Sequence, residues 1–123
     1  MNDQKEDNLI VSGQIILPYI EKEVHNAKAY VTVADVSRQD AQSQIISSQE
    51  IPNINLRVGE NKPIEFSLPV RIKDTRNRYI VKVLIDVDSD GETSVGDYIT
   101  TGFYPVSTLG NPNFVTIKVN KVG

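Results

Sequence analysis

The residues best suited to chemistry are the acidic ones between positions 86 and 97. This segment reads Asp-Val-Asp-Ser-Asp-Gly-Glu-Thr-Ser-Val-Gly-Asp, with aspartates at its first, third, fifth and twelfth positions and a glycine at its sixth. Calcium takes about six to eight oxygen ligands, and acidic residues at alternate positions of a tight loop turn their carboxylates toward one centre. The glycine allows the positive φ with which the chain turns around an ion. The segment therefore predicts a calcium site.

The predicted ligands are carboxylates and one main-chain carbonyl. They are Asp86, Asp88, Asp90, Asp97 and the carbonyl of Glu92, with Ser94 contributing directly or through water. The pattern differs from an EF-hand, because Asp rather than Glu closes the loop and predicted strands rather than helices flank it. With no helix pair to open on binding, a structural ion is expected. The alternative is a solvated turn, since Asp, Ser and Gly are common turn residues.

Residues for catalysis are scarce elsewhere in the chain. There is no cysteine and one histidine, His25, which excludes thiolate zinc sites, cysteine nucleophiles and sites with two histidines. No serine has the context of a nucleophile elbow, and the glycines do not have a phosphate-binding spacing. Paired carboxylates occur only in the segment 86–97, where a metal explains them better than acid–base catalysis. We therefore expect no enzymatic activity.

Composition narrows the choice of partners. The chain has 123 residues and a formal net charge of −3, and no apolar run approaches the ~20 residues of a bilayer span. Nucleic acids and anionic membranes attract dense Lys and Arg, so neither is a predicted partner. This length fits one hydrophobic core. We expect residues 1–8 to form a flexible leader and residues 9–123 a single domain, as a monomer or weak dimer.

Alternating hydrophobicity predicts an all-β fold. The clearest run is Arg78 to Asp86, in which Tyr79, Val81, Val83 and Ile85 share one face. Weaker runs begin near residues 9, 27, 45, 54, 64, 98 and 114, with Gly, Pro and Asn between them. About seven or eight short antiparallel strands with such turn signals are typical of a sandwich or barrel, and we expect a β-sandwich.

Several short signatures occur in order between Val11 and Val106. They are Val11-Ser12-Gly13, Asp35-Val36-Ser37 followed by Asp40-Ala41, the run from Pro63 to Pro69, Arg78-Tyr79, and Tyr104-Pro105-Val106. In these the chain resembles the YbaY/YscW-like family of small bacterial β-sandwich proteins, which includes lipoproteins and a type III secretion pilot or chaperone. The resemblance implies an immunoglobulin- or transthyretin-like sandwich that assists other proteins in the cell envelope.

The location has two interpretations. The segment Met1 to Asn8 is polar and has no apolar region of a signal peptide, which predicts a cytoplasmic protein. Alternatively, Met1 replaces a removed leader and the residues up to Asn8 form a tether, which would make the domain periplasmic or lipid-anchored.

Two hypotheses of function follow. The first is a non-enzymatic, calcium-binding accessory module whose ion is mainly structural. The second is a chaperone or pilot-like protein of the cell envelope that binds another protein through an exposed edge strand. Pro63 and Pro69 flank and interrupt one predicted strand, as is common at a sheet edge.

Overall fold

The alternating segments form strands in the computed structural model, which describes residues 7–37, 44–60, 62–72, 74–88, 91–106 and 113–123. Over these residues the chain forms seven strands and no helix, and so no helix that could cross a membrane. The strands are β1 (Asp7–Ile16), β2 (Val24–Asp35), β3 (Gln44–Leu56), β4 (Ile64–Ile72), β5 (Tyr79–Asp86), β6 (Tyr98–Thr100) and β7 (Asn113–Lys121). The predicted all-β class is confirmed.

One continuous sheet contains all of these strands, in the order β3-β2-β5-β6-β7-β1-β4. Neighbours are antiparallel except β1 and β7, which run parallel from Val11 opposite Asn113 to Ile16 opposite Lys118. The sheet curls into a nearly closed barrel, which differs from the two separate antiparallel layers of the expected immunoglobulin-like sandwich. Alternation determines which face of a strand is buried, whereas the order of the partners depends on contacts distant in sequence.

The two ends of the sheet, β3 and β4, come together where Ser47 Oγ donates to the carbonyl of Pro69 at 2.9 Å. The N–H and C=O of a strand residue point to the same side, so the missing N–H of Pro69 also faces β3. Proline here therefore removes no hydrogen bond from the ladder between β4 and β1. The contact brings the sheet close to closure at this point.

Residues 45–51 and 54–58 were expected to form two strands, but the first run and most of the second belong to β3. Ile51 pairs with Ala29 and Ile54 with Ala27, so β3 advances one residue more than β2. Asn53 adopts a φ of 61° within this bulge. Asparagine tolerates the left-handed region better than most residues, and a bulge accommodates the preceding proline.

The core lies inside the curled sheet. Val81, Val83 and Ile85 of β5 are at most 3% exposed, which confirms the face predicted from the sequence. Gly13 is required by a close approach, because a Cβ at this position would collide with the carbonyl oxygen of Val115 on β7. The chain can therefore bring β1 and β7 together only with glycine at position 13.

The first and the last strand of the chain, β1 and β7, belong to the same sheet. β1 begins at Asp7 and pairs with β4 from that residue onward. The last two residues of the predicted leader are thus in a strand, and residues 1–6 lie outside the described residues. At the other end of the chain, Val122 N–H donates to the Asp97 carbonyl at 2.8 Å, which attaches the segment after β7 to the β5–β6 connection.

Candidate functional site

The acidic segment forms the hairpin connection between β5 and β6, here called the acidic loop (residues 86–97). Asp86 is the last residue of β5, and Asp97 directly precedes β6. Both side chains are fully buried, whereas Asp88 is exposed. One carboxylate oxygen from each of these three residues lies within 4.8 Å of the other two. The fold therefore gathers three of the predicted ligands in one place.

Asp97 has its charge well compensated by hydrogen bonds. Its Oδ1 accepts from the Val87 N–H at 2.9 Å, and its Oδ2 accepts from the Ser94 N–H at 2.9 Å. The Ser94 hydroxyl lies 3.2 Å from Asp97 Oδ2 and 3.1 Å from Asp88 Oδ2, so it can donate to either carboxylate. By these bonds the buried Asp97 side chain holds the two ends of the hairpin connection together. The sequence pattern did not reveal this structural role.

Asp86 is only half compensated. Its Oδ2 accepts from the Gly91 N–H at 2.6 Å. Its Oδ1 is buried and has no hydrogen-bond partner among the residues that the structure describes. A buried carboxylate oxygen without a partner is costly, because folding removes its water and replaces it with nothing. Asp86 is therefore the unusual member of the cluster.

The lysine opposite Asp86 is engaged by another acid. Lys28 of β2 is the register partner of Asp86. Its Nζ lies 3.2 Å from Glu50 Oε1 and 5.9 Å from the centre of the Tyr30 ring. The hydrogen bond and the charge of Glu50 raise the pKa of Lys28, with smaller contributions from Tyr30 and Asp86.

The other predicted ligands are less well placed or not described. Glu92 is exposed, and only its main-chain carbonyl was expected to bind. Asp90 lies outside the described residues. Gly91 adopts a φ of 78°, as predicted for the sixth position of the loop. The binding of calcium by these residues stays a prediction.

A groove of about 600 Å³ crosses the face of the sheet that points away from the core. Here called the outer groove, it is lined chiefly by Tyr30 and Thr32 of β2, Ile45 of β3, Lys82 and Leu84 of β5, and Ile99 of β6. Gly91 and Thr93 of the acidic loop also line it. The lining is thus mainly apolar and includes the side chain of Lys82.

Register explains the apolar character of this groove. Tyr30 pairs with Leu84, and Leu84 pairs with Ile99, so the three side chains form a row across three strands. All three are half-buried, and Ile45 beside them is 66% exposed. This surface was not predicted from the sequence. The sequence feature that could have identified it is an apolar residue on the outer face of β2 and of β5, because a fully solvated face would be polar.

Comparisons with known proteins point to secretion. A family model described as "Type III secretion system lipoprotein chaperone (YscW)" matches residues 7–119. A solved structure, an alternative pilotin from the type II secretion system of Vibrio cholerae, is similar with 25% identity and a TM-score of 0.68. The similarity covers 95% of this chain and 99% of the pilotin. No curated protein matches the chain.

These matches confirm the family resemblance and correct the main hypothesis. The expectation that the protein functions as a calcium-binding accessory module is wrong, because the family and the solved structure are both described by a role in secretion. A loop motif indicates what one segment can bind, whereas the matches extend over almost the whole domain. The family description is that of a chaperone rather than an enzyme. The cytoplasmic location finds no support in a description that refers to a lipoprotein.

Proposed function

Because the chain belongs to the YscW family of type III secretion system lipoprotein chaperones, we propose that it is a pilotin-like chaperone. It binds a protein component of a bacterial secretion system and acts in the cell envelope. The second of the two hypotheses from the sequence is thus the better supported. We propose residues 9–123 as the chaperone domain, and the family match over residues 7–119 supports this assignment.

The outer groove is the surface that we assign to the client. Its row of Tyr30, Leu84 and Ile99 has no structural task in the core, which lies on the other face of the sheet. Apolar side chains in a concave, partly exposed surface are typical of places where another protein segment docks. The single observation that carries the proposal is this apolar row on the outer face. One copy of the domain contains the whole groove, so the proposal needs no second copy.

The client in this proposal is a protein segment that inserts apolar side chains between β2, β5 and β6. Burial of apolar area then supplies most of the affinity, at roughly 25 cal/mol for each Å² removed from water. Nucleic acid is not proposed as a partner.

Docking on an edge strand is the other route to a protein client. The ends of the sheet are β3 and β4, and strand addition requires a run of backbone groups that are open to pairing. The Ser47–Pro69 contact, the proline itself and the bulge at Asn53 interrupt such a run. These features are typical of protected edges, so we favour the groove.

Co-purification tests both routes. The full chain is expressed with a tag in a bacterium that carries the secretion system, as wild type, Leu84→Asp, Ile10→Asp and Ser67→Pro. Ile10 is the matched control, because it is an aliphatic residue on β1, 55% exposed and outside the groove. Ser67 lies two residues before Pro69, so its N–H also faces β3 and its replacement by proline blocks the edge.

The proposal predicts that wild type, Ile10→Asp and Ser67→Pro retain a component of the secretion apparatus and that Leu84→Asp loses it. Loss in Ser67→Pro alone would assign the client to the edge strand. If the wild type retains no component of a secretion system, the proposed function is contradicted.

A further inference from the structure

We propose that the buried carboxylates of the acidic loop bind a hard divalent cation, with Asp86 as the central ligand. The site shares its loop with the outer groove, because Gly91 and Thr93 line that groove, but none of the proposed ligands does. Its ligands are carboxylate oxygens of Asp86, Asp88 and Asp97. The inference rests on the contrast between the two fully buried aspartates.

The cluster brings negatively charged groups close together in a buried place. Asp86 and Asp97 are both 0% exposed, and their carboxylates gather with that of Asp88 within 4.8 Å. Like charges at such a distance repel, and burial strengthens this repulsion because little water screens it. Lys28 stands opposite Asp86 in the sheet, but its ammonium group pairs with Glu50. A cation bound from solution would therefore offset the negative charge of the cluster.

The two buried aspartates differ in their hydrogen bonds, independently of how closely the carboxylates lie. Asp97 receives hydrogen bonds at both of its oxygens, from Val87 and Ser94. Asp86 receives one at Oδ2 from Gly91, and its buried Oδ1 receives none from any described part of the chain. A native fold rarely leaves a charged, buried acceptor without a partner. A cation bound to Asp86 Oδ1 would supply this partner.

The spacing and the type of the donor atoms fit a particular class of ion. Calcium binds oxygen at about 2.3–2.6 Å, so two oxygens on one calcium are at most about 5 Å apart. The three oxygens lie within 4.8 Å of one another, inside this limit. The donor set is all oxygen, which suits calcium or magnesium rather than the softer metals. Asp88 is exposed and provides the approach from solvent, and water completes the coordination.

The test uses calcium as the probe and three variants of the full chain. Asp86→Asn keeps the size of the side chain, retains an oxygen for the Gly91 N–H and removes the charge. Glu92→Gln is the matched control, because it removes the same charge from the same loop and leaves the Glu92 carbonyl in place. Asp88→Asn, at an exposed position, keeps the test decisive should Asp86→Asn fail to fold.

For chelator-stripped wild type and for Glu92→Gln, we expect saturating calcium to raise Tm by about 5–10 °C. Isothermal titration calorimetry should show one site. Asp86→Asn should lose this response, and its Tm without calcium should equal or exceed that of wild type, because the new amide can donate to the neighbouring carboxylates. Asp88→Asn removes one charged ligand, and it should therefore raise the Kd for calcium at least about tenfold.

The proposal is overturned if about 10 mM calcium leaves the Tm of wild type unchanged. It is also overturned if Glu92→Gln and Asp86→Asn lose the response equally, since this would indicate general screening of an acidic surface. Both results are measured as calcium binding and Tm, whereas client retention is measured by co-purification, so failure of the cation site and failure of the chaperone role are distinguishable.

Discussion

Tyr30 and Leu84 lie opposite each other on β2 and β5, on the face of the sheet that points away from the core. Their direct neighbours in sequence, Val31 and Ile85, are both 0% exposed on the inner face. Each strand therefore carries apolar residues on both faces, although only the inner face builds the core. This relationship separates the residues needed for folding from those that we assign to the client.

Adjacent residues of β5 should differ in how strongly their truncation lowers stability. Ile85→Ala leaves a cavity in the core and should lower the free energy of unfolding by about 2–5 kcal/mol. Leu84→Ala removes a half-buried side chain from the outer face and should lower it by less than about 1.5 kcal/mol. Urea titration of the two variants measures both values. Equal losses would show that Leu84 belongs to the core and would weaken its assignment to the client.

Gly13→Ala should destabilise the domain strongly. The new Cβ meets the backbone carbonyl of Val115, and two paired strands must separate to admit it. We expect a loss of about 2–4 kcal/mol in the free energy of unfolding, at the upper end for an added methylene in a packed interior. Thermal unfolding measures this loss.

Gly102→Ala is the control for this substitution. The nearest atoms to its Cβ would be those of the Tyr104 side chain, at 3.2 Å, and a side chain can shift more easily than a sheet. The expected loss is below about 1 kcal/mol. Similar losses in both variants would contradict the close approach of β1 and β7.

Asp35 should make stability depend on acid pH. Burial raises the pKa of this carboxyl, but hydrogen bonds from Ser37 and Asn77 outweigh it and hold the pKa below its usual range. Because the pKa is lower in the folded state, Asp35 stabilises the fold above its unfolded pKa of about 3.9. This contribution is lost as pH falls through the lower, folded pKa.

Asp35→Asn should therefore flatten the decrease of Tm below about pH 4. Asp74, whose pKa the hydrogen bonds of Arg76 also lower, continues to titrate in this variant and leaves a residual slope. Thermal unfolding between about pH 2 and pH 6 measures the effect. A slope equal to that of wild type would mean that Asp35 has the same pKa in the folded and unfolded chain.

Local features of the chain were predictable from the sequence. The alternation of Val81, Val83 and Ile85 gave the buried face of β5, because a strand turns successive side chains to opposite faces. The spacing of Asp86, Asp88 and Asp97 gave their convergence, because a hairpin loop brings its two ends together. Both inferences depend on neighbours close in sequence.

Features that depend on distant contacts were not predictable. The parallel pairing of β1 with β7 joins residues about a hundred positions apart, and no local pattern encodes it. β3 remains one strand across the bulge at Asn53 because it pairs with β2 on both sides of it, and β2 is distant in sequence. The outer groove was missed for the same reason, since Tyr30, Leu84 and Ile99 become neighbours only through register.

The most direct test of the chaperone proposal is photo-crosslinking in living cells. A photoreactive amino acid replaces Leu84 in the outer groove, Ile10 on the opposite part of the sheet, or Ser67 on β4, each in the full chain. The account predicts that the probe at position 84 forms a crosslink to a component of the secretion apparatus and that the probe at position 10 forms none. A crosslink from position 67 but not from position 84 would contradict docking in the groove. The absence of any secretion component from all three positions would contradict the chaperone function itself.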